Sequence, residues 1–448
     1  MTTETRKAGP STPAGWFLAA LLLVSVWNQL DRAALGILQE PIKHEFGLSD
    51  FQLGLLGGPA FAILYAILGI PFGRLAERVN RVRLIATVFT IWSVATALCG
   101  LAAGFLSLLV ARVIVGIGEA GCSPSAHSLI SDRFGPEKRS WAIAVFMSGI
   151  SLGSLIAALA GGAIAQHFGW RMTFYALGAT GFALAALFAL TVREAPRGAA
   201  ALSTPLFIET MRFLIGKRVV RNVALAVMVA AMLSLSTAQY LTSFFMRAHG
   251  MVIGQAVLRV ALIFGLAGAV GTYLGGYIGN RLAVRDPGAA TTLIAWCYLG
   301  AMPLIVLAFL APDPTLATGL LMLGVGLQAG YFGPTFAVLH ASVQPSMRGT
   351  AVALVLLVSN LIGYGLGPPI VGKMSDLLGR YFAGGSASSQ QFCASNSWFA
   401  AACSKPAAGG LQFALALLAL ANVWAFFHFR TLSRLHRQEH GSGKAAIV

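Results

Sequence analysis

Fifteen acidic residues are distributed over the 448-residue chain, and only two of them, Asp31 and Glu119, lie deep within long apolar stretches. Two arginines accompany them, Arg32 and Arg112. A charged side chain at the centre of a bilayer costs ~3 kcal/mol even on permissive insertion scales, so such residues pair with one another or line a pathway. If both stretches are helical, Asn28, Asp31 and Arg32 share a face through i, i+3, i+4 spacing. Arg112, Gly116, Glu119 and Ser123 form one stripe through i, i+4, i+7, i+11. The chemistry open to this set is proton transfer and anion binding. Desolvation favours a neutral carboxyl and a nearby guanidinium favours the charged form. Glu119, together with Asp31, is therefore the candidate proton carrier, its protonation following the distance to Arg32 or Arg112. A guanidinium grips phosphate or carboxylate with a two-pronged fork. Arg32 is accordingly the candidate anion site, with Asn28, Arg112 and Ser123 beside it, and Asp31 is expected to hold Arg32 when the site is empty.

The chain also carries a repeat at an offset of 209 residues. EAG at 119–121 aligns with QAG at 328–330, and Pro136, Arg139 and Ala142 align with Pro345, Arg348 and Ala351. Gly73-x-x-x-Glu77-Arg78 aligns, a few residues out of phase, with Gly276-x-x-x-Asn280-Arg281. At this offset Asp31 meets Tyr240, Glu119 meets Gln328 and Asn28 meets Thr237. Intramembrane charge is thus confined to the first half, although helices must pack in both. A structural ion-pair cluster that holds two helices together is one reading; the confinement favours a functional one. A substrate touching both halves would meet charge on one side and aromatic or mildly polar groups on the other: Thr237, Tyr240, Tyr273, Gln328, Tyr331, Phe332, Asn360 and Tyr364. That asymmetry suits an amphiphile with its head group on the first half and its tail along the second.

Around Glu119 the sequence reads GIGEAG, Gly116 to Gly121, a letter-for-letter match to the dinucleotide-binding pattern G-x-G-x-x-G. That pattern needs a soluble sheet and an acid about 20 residues further on. Residues 138–146, KRSWAIAVF, contain no acid, and the second half repeats the stretch as GVGLQAG inside another apolar run. The glycines are expected in mid-helix, where they let neighbouring helices approach closely. No Ser-His-Asp set, Cys-x-x-Cys or P-loop is present, and His127, His249, His340 and His428 lack metal-ligand spacing. The expectation is a protein that is not an enzyme and needs no cofactor or metal.

The elements that must position these residues follow from composition. Hydrophobic residues make up 57% of the chain and charged residues 10%, against about a quarter charged in a soluble protein. The mean hydropathy is +0.77. A helical span of the hydrocarbon core takes about 20 residues, and the apolar runs are read as twelve spans: roughly 15–39, 52–73, 82–105, 107–132, 139–166, 171–192, 221–246, 255–282, 289–311, 315–343, 347–377 and 410–429. The fold class is an all-α membrane protein of two six-helix bundles, residues 1–192 and 221–448, joined by a cytoplasmic linker at 193–220. With the N-terminus inside, 22 of the 31 Lys and Arg fall on the cytoplasmic side, and the net charge of +16 reflects that bias. This is the positive-inside distribution. It argues for both termini in the cytoplasm and for contact with anionic lipid, not nucleic acid. Of five cysteines, Cys99, Cys122 and Cys297 read as packing residues, while Cys393 and Cys403 share a long external loop at about 379–409. In an oxidising compartment these two are candidates for a disulfide, with two free thiols as the alternative.

The pattern G-x-x-x-[DE]-R-x-x-R at 73–81, between spans two and three, resembles the major facilitator superfamily. More narrowly, NQLDR at 28–32, FGLSDFQLGLL at 46–56, RVIVGIGEAG at 112–121 and SDRFGPEKR at 131–139 resemble bacterial members of its Spinster branch. The resemblance implies a fold in which helices one and four line a central cavity. It also implies a proton-linked transporter related to exporters of lysolipids and phosphorylated sphingosine. Glu77, Arg78 and Arg81 look like the superfamily's gating motif, with Asn80 standing where glycine is usual; charges that merely set topology are the alternative. The combined expectation is a monomeric bacterial inner-membrane transporter that couples protons to a lipid-like or amphiphilic anion or zwitterion by alternating access. A proton-coupled symporter of small organic anions is the alternative.

Overall fold

The structure, a computed structural model, describes residues 12–194, 207–286, 288–344, 347–384, 390–391 and 403–445. Among the described residues the regular structure is helical, with no strand. Eleven helical stretches are long and apolar enough to cross a membrane. One of them, Glu137–Thr191, runs for 55 residues, which as continuous helix would be ~80 Å long against a hydrocarbon core of ~30 Å. It is two spans, broken where Gly169 adopts φ +84°, a region that side chains with a Cβ rarely enter. Twelve spans result, as the apolar runs imply.

In chain order the first helices are α1 (Ala14–Phe46), α2 (Asp50–Gly57), α3 (Pro59–Arg78), α4 (Arg81–Gly100), α5 (Phe105–Ala120), α6 (Cys122–Arg133), α7 (Pro136–Ile156) and α8 (Gly162–Thr191). They are followed by α9 (Phe207–Gly216), α10 (Arg218–His249), α11 (Ile253–Val260), α12 (Gly268–Arg285), α13 (Ala289–Leu310), α14 (Pro314–Ala329) and α15 (Phe332–Ala341). The last are α16 (Arg348–Val358), α17 (Gly365–Phe382), α18 (Pro406–Ala419) and α19 (Ala421–Ala445). Short π-helical turns interrupt three spans, at Ala157–Gly161, Ala261–Ala267 and Ser359–Tyr364.

By contact the chain divides into two compact units. One comprises Met1–Ala34, Leu64–Ala157 and Phe168–Ala201; the other comprises Leu35–Ile63, Ala158–His167 and Leu202–Val448. The core of the first is built from Phe17, Leu21 and Val24 of α1 against Phe89 and Trp92 of α4, whose rings stack at 4.4 Å. The Trp27 indole donates to the Leu177 carbonyl at 3.1 Å, which ties α8 to α1. The core of the second centres on Tyr240, Phe244 and Phe245 of α10, with Phe309, Leu321, Leu411 and Leu415. Large apolar side chains also stand on the outside, Leu190, Phe168 and Leu106 among them. On a soluble protein so much exposed apolar surface would mark an interaction site; on a twelve-span chain the covering partner is lipid.

Local chemistry sets the helix ends. Ser49 and Gln52 form a capping box at the start of α2, a reciprocal arrangement that satisfies two orphan amide groups. Asn80 accepts from the Arg83 amide at 2.8 Å and caps α4. This accounts for asparagine at the motif position where glycine is usual, since asparagine is among the best N-caps. The glycine-rich stretch lies inside one helical span, Phe105–Arg133, as expected. α5 ends at Ala120 and α6 begins at Cys122, and Gly121 between them keeps near-helical dihedrals, φ −83° and ψ −15°. The same junction recurs 209 residues later, where α14 ends at Ala329 and Gly330, also near-helical, precedes α15. Close approach by glycine holds: a Cβ on Gly118 would lie 2.8 Å from the Trp92 Cβ and 2.9 Å from its backbone nitrogen.

Candidate functional site

The first compact unit brings the four intramembrane charges together. α1 presents Asp31 and Arg32, and α5 presents Arg112 and Glu119; Asp31, Arg112 and Glu119 are almost completely buried. The Arg32 Nε donates to Glu119 Oε2 at 2.7 Å, with Glu119 fully buried and the Arg32 side chain 16% exposed. Asn28 lies within hydrogen-bonding reach of the same carboxyl. The Arg32 guanidinium also rests on the Tyr65 ring of α3, 4.6 Å from its centroid, a cation–π contact that fixes the plane of the fork. Glu119 Oε1 has no hydrogen-bond partner among the described residues. A buried carboxylate oxygen without a donor is a place where a proton or a ligand's donor can be accommodated.

Asp31 does not take the role expected of it. Its Oδ2 accepts from the Thr96 hydroxyl of α4, and its Oδ1 has no hydrogen-bond partner among the described residues. Adjacent residues on a helix point ~100° apart, so Asp31 and Arg32 reach different neighbours, and Glu119 is the carboxylate that Arg32 engages. Ser123 is half-buried at the start of α6, on the same helical span, Phe105–Arg133, as Arg112 and Glu119. Tyr65 and Thr96 are the contacts the sequence did not disclose. Both are common residues in apolar spans, and only the fold places them against Arg32 and Asp31.

The gating residues separate. Arg78 is exposed, and the side chain of Glu77 lies outside the described residues. Arg81 is 4% exposed and held by several acceptors. Its Nε donates to Glu194 Oε1 at 2.6 Å, and its Nη1 donates to Asp132 Oδ2 at 2.6 Å and Ser128 Oγ at 2.8 Å. The Arg81 amide also donates to Glu194 Oε2 at 3.0 Å. One guanidinium therefore joins the start of α4, the end of α6 and the segment following α8. Asp132 stands in SDRFGPEKR and Glu194 just past the sixth span; neither is singled out by spacing.

The second compact unit holds the remaining candidates. Thr237 and Tyr240 are buried on α10. The Tyr240 hydroxyl points at two backbone carbonyls, that of Asp50 at 2.7 Å and that of Pro368 at 3.1 Å. Gln328 is buried and donates to Asn422 Oδ1 at 2.6 Å. Tyr331 packs edge-on to Tyr298 at 6.3 Å. Phe332 is 46% exposed, with its ring 4.4 Å from that of Phe336. Asn360 and Tyr364 both sit in the π-helical turn Ser359–Tyr364, and the Tyr364 ring lies 6.1 Å from that of Phe61. Among the described residues no group of three His, Cys, Asp or Glu could hold a metal ion. The disulfide expected between Cys393 and Cys403 involves a residue, Cys393, that lies outside the described residues.

An all-helical chain of twelve spans, with a buried arginine–glutamate pair in its interior, defines a multi-pass membrane protein of the transporter class. The chain belongs to the major facilitator superfamily, whose family model matches residues 21–368, and within it to the Spinster branch. It is 34% identical over 81% of its length to an MFS-type efflux pump of Mycolicibacterium smegmatis, covering 84% of that protein. It is 28% identical over 81% of its length to human protein spinster homolog 1, covering 73% of that protein. A crystal structure of a bacterial homolog to the human lysosomal transporter Spinster, inward-facing and unoccupied, superposes with a TM-score of 0.84 at 32% identity. That match covers 94% of this chain and 97% of the other.

Proposed function

We propose that this transporter couples protons to the movement of a lipid-like or amphiphilic anion or zwitterion by alternating access. The observation that carries the reading is the buried Arg32–Glu119 pair, where the second repeat has the uncharged Gln328 in place of Glu119. An anionic head group competes with Glu119 for the Arg32 fork. When it wins, Glu119 is left buried without its cation, and a buried charge stripped of its partner costs several kcal/mol. Taking up a proton removes that cost. Anion and proton therefore bind as a pair, and loss of either returns Arg32 to Glu119. The uncharged, aromatic character of Tyr331, Phe332 and Tyr364 supports an apolar tail on the ligand.

The wider assignment follows the same reading. The protein lies in the bacterial inner membrane with both termini in the cytoplasm, in line with the placement of its basic residues. It acts as a monomer. Glu77, Arg78 and Arg81 control the cytoplasmic gate, and Cys393 and Cys403 are bridged. The deciding experiment is flux into proteoliposomes of the full chain, with a lysophospholipid and a small organic acid offered separately, with and without an imposed pH gradient. Gradient-driven movement of the lysolipid alone supports the reading; gradient-driven movement of the organic acid alone replaces it with the small-anion symporter.

A further inference from the structure

The first compact unit has a concave apolar surface away from its buried charges. An open crevice of about 230 Å³ lies between α1 and α8. Trp16 and Leu23 of α1 form one wall, Leu184 and Leu187 of α8 form the other, and Phe89 and Phe188 form the floor. The floor is closed, with Phe89 and Phe188 0% and 2% exposed, while Trp16, Leu23 and Leu187 at the rim are 37%, 37% and 40% exposed. Both ends are pinned. At one end the Trp27 indole crosses from α1 to the Leu177 carbonyl at 3.1 Å, over Gly181, where a Cβ would lie 2.9 Å from the indole nitrogen. At the other end the Thr12 hydroxyl donates to the Thr191 carbonyl at 3.3 Å and accepts from the Arg193 amide at 2.9 Å. The result is a slot open on one side only.

An empty slot of this kind is unfavourable. Its lining lacks partner atoms and forgoes their dispersion attraction, and an apolar cavity offers water no hydrogen bonds. Convex apolar positions such as Leu190, 81% exposed, are covered by whichever lipid passes; a slot with a buried floor and closed ends selects a chain that lies in it. The dimensions match one leaflet. Trp16 to Trp27 spans ~16 Å of helix, and half of the hydrocarbon core is ~15 Å. Trp16 stands in the first turn of α1 and Leu187 near the end of α8, so the mouth lies at head-group depth, where tryptophan is enriched.

The mouth is also basic. Arg133 donates from Nη2 to the Thr12 carbonyl, and the exposed Arg193 is tied to the same residue through its amide. The two acids beside them, Asp132 and Glu194, are shared with the buried Arg81, so the group keeps a net positive charge. Basic residues at the end of an apolar groove between spans recognise anionic lipid head groups.

We propose that this slot holds a resident anionic phospholipid, with one acyl chain lying on Phe89 and Phe188 and the phosphate between Arg133 and Arg193. The lipid fills the gap between α1 and α8 and is part of the folded unit, not cargo. The slot shares no residue with the Arg32–Glu119 pair, and the proposal does not rest on the transport reading.

The test titrates the full chain, purified in detergent and stripped of lipid, with phosphatidylglycerol or with phosphatidylcholine of the same chains, and counts bound lipid by native mass spectrometry. The parental protein should take up one phosphatidylglycerol more tightly than phosphatidylcholine. Arg193→Gln should weaken phosphatidylglycerol about fivefold, the effect of ~1 kcal/mol for one basic residue near an anionic head group, and leave phosphatidylcholine unchanged. Leu184→Trp, which fills the slot with an indole, should weaken both lipids about tenfold or more, ~1.4 kcal/mol. Leu190→Trp, on the convex surface, should change neither. If Leu184→Trp does not fold, Leu23→Trp fills the slot from the opposite wall and carries the same expectation. A folded slot-filling variant that binds phosphatidylglycerol at the parental affinity overturns the proposal. So does an equal loss in Leu190→Trp, which would mean unspecific annular lipid, and so does equal parental affinity for the two lipids. Arg32→Lys should retain the bound lipid; loss of phosphatidylglycerol there, with retention in Leu184→Trp, would place the lipid at the Arg32 site and overturn the slot.

Discussion

The Nε of Arg32 lies 2.7 Å from Oε2 of Glu119, between two helices whose contributing residues are 87 positions apart in sequence. The pair is buried, and the other oxygen of Glu119 has no hydrogen-bond partner among the described residues.

Glu119→Gln keeps the shape of the side chain and removes its titration. Flux driven by a pH gradient should fall to background, while counterflow without a gradient persists and the melting profile stays close to wild type. Wild-type gradient-driven flux in this variant would exclude Glu119 from coupling.

Arg32→Lys keeps the charge and loses the planar fork and its stacking on Tyr65. Ligand affinity should drop about tenfold or more, ~1.4 kcal/mol. Asp31→Asn should reduce turnover more than affinity, because Asp31 is held by Thr96 and does not itself occupy Arg32. Binding titrations on both variants in one detergent and at one pH decide the matter. Intact binding in Arg32→Lys with lost binding in Asp31→Asn would assign the ligand's cationic group to Asp31.

Arg81→Ala leaves Glu194 and Asp132 without the guanidinium that joins them. Removing one partner from a buried pair typically costs ~3–5 kcal/mol, so the variant should melt well below wild type. Arg81→Lys, which can meet only part of the network, should fall between the two. A thermal melt of purified protein checks the order, and a melting temperature for Arg81→Ala equal to wild type would mean the network adds nothing to stability.

Two glycine substitutions should go in opposite directions. Gly118→Ala drives a methyl group to within 2.8 Å of Trp92, and overpacking of this kind costs ~1–3 kcal/mol. Gly69→Ala, in α3, meets nothing within 4 Å and gains the ~1 kcal/mol that alanine holds over glycine in a helix interior. Melting of the pair side by side tests the packing, and equal shifts would contradict it.

The proposed bridge between Cys393 and Cys403 predicts that neither residue is alkylated in the denatured, unreduced protein and that both are after reduction. Peptide mass spectrometry reads this directly. Alkylation of both without reductant would show two free thiols.

Much of the architecture was written in the chain itself. Twelve apolar runs demand twelve spans, because a bilayer leaves no other home for them, and a repeat at 209 residues places Gly121 and Gly330 at the same helix junction. Asp31, Arg32, Arg112 and Glu119 stand out because charge inside an apolar run is costly and must be answered nearby. What the tertiary structure decided is which charge answers which. Helical spacing puts Asp31 and Arg32 on neighbouring faces but cannot say that one turns to Thr96 and the other to Glu119 and Tyr65, since those partners arrive from other helices. Glu40, Asp50 and Arg247 read as ordinary charges at the ends of spans, where charge is cheap in water. Only the packing of distant segments buries them against one another, with Arg247 donating to Glu40 at 2.9 Å and to Asp50 at 2.8 Å, and so only the fold turns three scattered residues into one network.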